Sequence, residues 1–173
     1  MKHLKTCIVI SLDGFIARKD GDLNWMPGNI KKEISAAYEI PSVFIAGVNT
    51  YNMIFRNWGG WPYKSKKTFV VSHYDTNVTR KDNVTFLTDM PLRAINELKS
   101  SSETDIQVIG GGKFITSLIE ASLLDEITLY IVPVMLGDGI KFIGKTFGSK
   151  WELTGHRVID NQVVYLTYQY KGE

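Results

Sequence analysis

Along this chain, short apolar runs that end in glycine or a turn alternate with stretches whose apolar residues recur at helical spacing. The clearest case runs from Asp105 to Pro133. Ile106, Val108 and Ile109 are closed by Gly110, Gly111 and Gly112, which reads as a buried strand entering a turn of unusual backbone geometry. Phe114, Ile115, Leu118, Ile119 and Leu123 then share one helical face, and Ile127, Leu129 and Ile131 alternate with Thr128 and Tyr130 at a period of two. The stretch predicts a strand, a glycine turn, a helix beginning near Lys113, and a second strand.

The same reasoning extends to the rest of the chain. Leu4 to Leu12 is a nearly continuous apolar run, predicting a strand near the centre of a sheet, and Asp13-Gly14 ends it in a turn. Ser42 to Gly47 predicts a second strand, after which Val48 starts a short helix through Met53, Ile54 and Phe55. Lys67 to Ser72 and Val84 to Leu87 predict two more strands. Pro91 opens a helix with Ala94, Ile95 and Leu98 inward. Between the first two strands, Arg18 to Gly28 reads as a loop carrying Trp25, and Asn29 as the cap of a helix to about Tyr38. Trp151 to Val158 and Val163 to Tyr170 alternate strongly around Asp160-Asn161, predicting an antiparallel hairpin. About eight strands and four helices are expected, an α/β arrangement with antiparallel strands at one edge.

Composition narrows the function. The 173 residues suit one domain, 1–173, with a sizeable core. Twenty basic and 18 acidic residues give a net charge of +2 without a basic run, so nucleic acid is not an expected partner. No apolar run approaches a membrane span, and Met1-Lys2-His3 leads straight into a strand without a signal-peptide core, so a soluble cytoplasmic protein is expected. The single cysteine, Cys7, lies in an apolar strand and reads as a packing residue. His3, His73 and His156 are far apart with no partner at ligand spacing, so no metal site is expected. The zinc-deaminase and Gly-x-Ser-x-Gly patterns are both absent.

The candidate chemistry lies in the glycine turns. Gly110, Gly111 and Gly112 let a ligand approach the backbone, and their N–H groups sit at the positive end of the following helix, a seat for phosphate. Gly47 repeats the arrangement, with Thr50 able to offer a hydroxyl and a first-turn N–H. The Rossmann fingerprint fails at Ile115 and the P-loop at Phe114.

Four motifs, Ser11-Leu12-Asp13-Gly14-Phe15-Ile16-Ala17, Ala46-Gly47-Val48-Asn49-Thr50-Tyr51, Val108-Ile109-Gly110-Gly111-Gly112 and Val132-Pro133-Val134-Met135-Leu136-Gly137-Asp138-Gly139, occur in one order over nearly the whole chain. In that order they resemble the dihydrofolate reductase-like superfamily, and within it the C-terminal reductase domain family of the riboflavin-biosynthesis deaminase/reductase RibD. The resemblance implies a three-layer α/β/α sandwich with a central mixed sheet, a homodimer, and hydride transfer from NADPH, with NADH possible. The expected acceptor is a small heterocycle, foremost 5-amino-6-(5-phosphoribosylamino)uracil. Dihydrofolate is the alternative acceptor, and a non-catalytic nucleotide-binding dimer the alternative of another class.

By the same resemblance Ala46, Gly47, Asn49, Thr50, Gly110, Gly111, Gly112, Lys113 and Phe114 would hold the cofactor, with Ser72 and His73 near its adenosine end. Asp13, Ile16 and Trp25 would face the substrate, and Asp13, Asp22 and Glu33 are the candidates to deliver a proton. Trp151, Val163, Val164 and Tyr165 mark the expected dimer surface. Val48 and Asn49 stand where dihydrofolate reductases carry a basic residue for the 2′-phosphate, leaving Arg56, His73, Arg80 or Lys81 to supply that charge. Cys7 stands where riboflavin-pathway reductases carry lysine.

Overall fold

A computed structural model describes residues 1–72, 83–88, 90–144 and 148–172. In chain order the elements are β1 (Leu4–Ser11), β2 (Phe15–Ala17), α1 (Gly28–Glu39), β3 (Val43–Gly47), α2 (Val48–Asn57), β4 (Lys67–Val71) and β5 (Val84–Leu87). There follow α3 (Pro91–Ser101), β6 (Ile106–Ile109), α4 (Gly112–Glu120), β7 (Glu126–Val132), β8 (Ile140–Lys141), β9 (Lys150–Ile159) and β10 (Val163–Gly172). Eight strands form one sheet in the order β5-β4-β3-β6-β1-β7-β10-β9, and β2 pairs with β8 apart from it. Strands β5 to β7 along that order are parallel, and β10 and β9 are antiparallel to their neighbours.

Parallel strands are covered on both faces, which is why β1, β3 and β6 are mostly apolar, broken only by Lys5, Thr6 and Gln107 before β1 ends at Ser11. Alternate residues go to opposite layers. Val9, Phe44, Ala46, Val70, Tyr130 and Val132 pack with Ile30 and Tyr38 of α1 and with Tyr51 and Ile54 of α2. Ile8, Ile45, Phe69, Val71, Val108 and Ile127 pack with Ile95 of α3 and with Ile115, Leu118 and Ile119 of α4. The result is the expected three-layer α/β/α sandwich.

Local chemistry sets the connections. The β9–β10 turn has both Asp160 (φ 50°) and Asn161 (φ 56°) in the left-handed region, and the Gln162 N–H donates to Ile159 O at 3.0 Å. That is a type I′ turn, the form whose twist suits a two-strand ribbon. Asn29 does not cap α1. Pro27 precedes that helix without a side-chain cap, and Asn29 Nδ2 donates to Asp160 Oδ2 at 2.6 Å instead, tying α1 to the hairpin tip. Ser100 and Ser101 complete the last turn of α3.

One ion pair is deep in the structure. Lys99, near the end of α3 and 7% exposed at its side chain, reaches Asp125 Oδ2 at 2.6 Å and donates to Leu123 O at 2.9 Å. The same carboxylate oxygen accepts the Leu4 N–H at 2.7 Å, so the pair joins α3, the loop before β7, and the start of β1.

Candidate active site

The parallel register sets β3 beside β6, with Ala46 opposite Ile109, so that Gly47 and Gly110 leave the sheet side by side. Helix α2 then runs onto one face and α4 onto the other. A pair of adjacent strands whose following helices diverge to opposite faces is the crevice in which α/β sheets bind ligands. Here it opens into a cleft of about 1700 Å³.

Both helices start in the same way. Gly47 and Gly111 are extended, no side chain caps either helix, and neither first turn contains an acidic residue. Their first-turn N–H groups therefore have no side-chain acceptor of their own at the positive ends of helices ten and nine residues long. The turns are also in contact. A Cβ on Gly111 would lie 3.0 Å from Thr50 Oγ1, and one on Gly47 3.1 Å from Phe114 Cβ. Side chains there would fill the space between the turns.

The three successive glycines do different work. Gly111 faces Thr50, whereas a Cβ on Gly112 would lie 2.1 Å from Lys141 O and 2.5 Å from Phe142 O. Gly112 is thus required by the backbone that crosses it just after β8, although it also borders the cleft. Lys113 is exposed in the first turn of α4.

The structure brings Ile16, Asp22, Gly47, Asn49, Thr50 and Gly110 through Phe114 to the wall of this cleft. Other expected residues lie elsewhere. Ala46 is fully buried in the core, and Ser72 is 1% exposed at the end of β4. His73, with Arg80 and Lys81, lies outside the described residues. Trp25 packs against the α1 core, and its indole N–H is enclosed without an acceptor.

Asp13 and Glu33 are both committed to other contacts. The Asp13 carboxylate accepts the Ser11 hydroxyl at 2.6 Å and the N–H groups of Gly137 at 2.7 Å and Leu136 at 3.1 Å. Ser11 Oγ in turn accepts the Phe15 N–H at 2.9 Å, across Gly14 at φ 83°. The Ser-Leu-Asp-Gly motif is therefore a clamp holding the loop after β7 against the end of β1. The Ser11 hydroxyl foremost, with the two N–H groups, holds Asp13 down at a pKa of about 2, so it has no proton to give at neutral pH. Glu33 Oε2 pairs with Arg157 Nη2 at 2.5 Å and accepts the Tyr130 hydroxyl at 3.2 Å, while the Arg157 guanidinium lies 4.6 Å from the centre of the Tyr165 ring. Glu33 fastens α1 to the hairpin and does not line the cleft.

Asp22 is the one carboxylate among the described lining residues. Its Oδ2 lies 3.8 Å from Arg18 Nε, and its Oδ1 accepts the Asn24 N–H at 3.3 Å. Cys7 also borders the cleft, but burial, reinforced by Glu33, pushes its thiol up to about 12. It is not a nucleophile at neutral pH.

Several lining residues are not among those that the resemblance assigns to the site. Lys31, Ile34, Ser35 and Tyr38 on α1 and Met53, Ile54 and Asn57 on α2 line the same cavity, as do Trp58, Tyr63, Met90, Leu92 and Arg93. The i, i+3, i+4, i+7 recurrence of the α1 set is the sequence signal that could have found them. Arg56 does not line the cleft, and its Nε donates to Asn52 O at 3.3 Å. Among the described residues no group of His, Cys, Asp or Glu could hold a metal ion, and no helix is long and apolar enough to cross a membrane.

Comparison with known proteins agrees with this architecture. Residues 2–165 match the RibD C-terminal domain family. A putative riboflavin biosynthesis protein from Shewanella sp. PV-4 superposes with a TM-score of 0.84 at 27% identity, covering 98% of this chain and 99% of that one. Dihydrofolate reductase from Enterococcus faecalis, complexed with NADP(H), superposes with a TM-score of 0.72 over 98% of this chain and 96% of that one, a likeness of fold at 17% identity. The uncharacterized protein YwjB of Bacillus subtilis is 27% identical over 165 residues, which are 93% of this chain and 94% of that protein.

Proposed function

Because this chain belongs to the RibD C-terminal domain family, we propose that it is an NADPH-dependent reductase passing a hydride to a C=N or C=O carbon of a small heterocycle. The observation that carries this reading is the pair of uncapped glycine turns at the ends of adjacent strands β3 and β6. They offer first-turn N–H groups to an anion from two directions at the edge of a cleft spacious enough for a dinucleotide and a second molecule.

Gly47, Thr50, Gly110 and Gly111 would hold the cofactor phosphates, because a close backbone approach and uncommitted N–H groups are what a pyrophosphate requires. When bound, the reduced nicotinamide supplies the hydride. Ile16, on β2, would shield the reacting face, and the cleft walls would exclude water from it. Asp22, the lining carboxylate, would hold or pass a proton at its Oδ atoms, directly or through water. Arg93, at the N-terminus of α3, is a described cation on the cleft wall that could read the 2′-phosphate where Val48 and Asn49 offer no charge.

A homodimer is part of the same proposal. On β9 and β10, Val158 pairs with Val164 and Leu153 with Tyr168, so these side chains share a sheet face, with Val158 63% and Leu153 49% exposed. Of the residues expected at this surface, Val163 is instead 2% exposed in the core and Tyr165 lies under Arg157, while Val164 is in the exposed stripe and Trp151, opposite Tyr170, is half-buried on the same face.

The test is a titration of the purified protein with NADPH and with NADH, read by quenching of tryptophan fluorescence, because Trp58 borders the cleft. Saturable NADPH binding at lower concentration than NADH supports the reading. Binding of neither refutes it.

A further inference from the structure

On the α1 side of the sheet, apart from the cleft, the strand register builds a second cavity. Lys5 of β1 stands between Gln107 of β6 and Glu126 of β7, and Cys7 stands opposite Thr128. Residues two apart on a strand share a face, and Phe44, level with Gln107 on β3, puts that face in the α1 layer. Ala37, Ile40 and Pro41 at the end of α1 roof these positions over a volume of about 270 Å³. Among the described residues only Cys7 borders both cavities. Tyr38 faces the cleft and Ala37 faces this pocket, so α1 separates the two.

The pocket offers more acceptors than donors. Gln107 is 7% exposed, and its Nε2 donates to Val108 O at 3.1 Å, whereas its Oε1 accepts nothing from the described residues. That oxygen is not sealed in protein, because among the described residues only the Trp25 indole nitrogen is both enclosed and unpartnered. It therefore opens into the pocket, where a ligand N–H would satisfy it. Thr128 Oγ1 is also without a hydrogen-bond partner among the described residues. The charges leave a similar deficit. Lys5 Nζ lies 2.9 Å from Asp105 Oδ2 and 3.6 Å from Glu126 Oε2, one cation against two carboxylates. Asp105 Oδ1 is taken by the His3 N–H at 3.0 Å, but Glu126 Oε1 is taken by no described donor. Arg157 pairs with Glu33 and does not line the pocket.

We propose that this pocket is a second ligand site, for a small planar cation of the amidinium or guanidinium type. Its N–H groups would meet Gln107 Oε1 and Thr128 Oγ1, and its charge would answer the surplus carboxylate at Glu126. A flat apolar body would lie beneath Ala37, Ile40 and Pro41. An anion would meet the same carboxylates and find no lining arginine. The volume suits one substituted ring and excludes a dinucleotide, so the site stands independently of what the cleft binds.

The experiment titrates three probes of one shape and different charge, benzamidinium, benzamide and benzoate, into the isotope-labelled protein and follows its amide chemical shifts. The expected shifts centre on the Gln107 side-chain amide and on the backbone of Glu126 and Thr128, with Gly110 and Gly111 unmoved. Benzamidinium should bind about tenfold more tightly than benzamide, the effect of one charge-assisted hydrogen bond, and benzoate more weakly than either. Glu126→Gln keeps the side chain's shape and should weaken benzamidinium by about tenfold. The wild-type series reads the charge preference without that variant. Equal binding of the three probes, preference for benzoate, no binding of benzamidinium, shifts centred on the cleft glycines, or unchanged benzamidinium affinity in a folded Glu126→Gln would each overturn the proposal.

Discussion

Two neighbouring glycines separate a requirement of the fold from a requirement of the ligand. Gly111 and Gly112 both have negative φ or helical backbone, so alanine strains neither conformation, and the outcome depends on what the added methyl meets. At position 112 it would lie 2.1 and 2.5 Å from two carbonyl oxygens, about 1 Å inside the closest ordinary carbon–oxygen approach. Those carbonyls belong to Lys141, paired with Phe15 in the β2–β8 ribbon, and to Phe142, whose N–H bonds Gly14 O at 3.0 Å, so they do not retreat freely. The cost sits at the upper end of overpacking, about 3 kcal/mol. For a chain of this length that lowers Tm by about 6–12 °C.

At position 111 the methyl meets a rotatable hydroxyl at 3.0 Å, and the reduced freedom of the unfolded chain offsets that contact by about 0.4–1 kcal/mol. Gly111→Ala should therefore melt within about 3 °C of the wild type. It nonetheless fills the gap between the glycine turn and Thr50. Loss of one charge-assisted hydrogen bond to a phosphate, about 1.5–3 kcal/mol, weakens NADPH binding roughly 10- to 150-fold. Scanning calorimetry and fluorescence titration on the two variants read both quantities. A Gly112→Ala protein as stable as the wild type would refute the packing argument, and a Gly111→Ala protein with unchanged NADPH affinity would refute the phosphate seat.

Asp22→Asn should lower kcat with little change in NADPH affinity. Glu33→Gln should leave kcat unchanged while lowering stability by about 1 kcal/mol in urea, because it loosens a partly exposed ion pair; the reverse pattern would restore Glu33 as the acid. Lys99→Met strands the Asp125 carboxylate in a largely buried site and should cost about 3 kcal/mol, the lower end for breaking such a pair because Asp125 retains some solvent, read as a fall in the urea midpoint. Asp13 is held near 2, below its ordinary 3.8, so its contribution to stability is complete above about pH 4 and disappears as the pH falls through 2. The stability gap between wild type and Asp13→Asn should therefore close over that window in acid titrations, and a gap independent of pH would contradict the clamp. Light scattering should find a dimer for the wild type and a monomer for Val158→Lys, and a monomeric wild type would refute the exposed stripe as an interface.

What was legible in the sequence was local. A strand that ends in glycine and opens a helix announces itself within a dozen residues, and so does a hairpin around Asp160-Asn161. The non-local pairings were not legible, because nothing in β3 or β6 states that the two lie side by side, and it is their adjacency that turns two separate glycine turns into one crevice. The same limit explains the carboxylates. Asp13, Asp22 and Glu33 were all candidates as residue types near turns or on a helix face, but the partners that separate them are distant in sequence: the Gly137 N–H lies 124 residues from Asp13, and Arg157 lies 124 from Glu33.

The glycine motifs lie on the cleft wall, but family resemblance could not weigh Gly112 against Gly111, since the backbone that excludes a side chain at Gly112 comes from residues 141 and 142. The motifs that carried the resemblance are thus of two kinds. Ser11 to Gly14, and Gly112, hold the walls together. Gly47, Thr50 and Gly111 face the space between them. Residues of the first kind are needed by the architecture whatever the cleft binds, so a match to them speaks to fold. Lys31, Asp22 and the exposed Trp58 line the same cleft but lie outside every motif, so a match to the motifs says nothing about them.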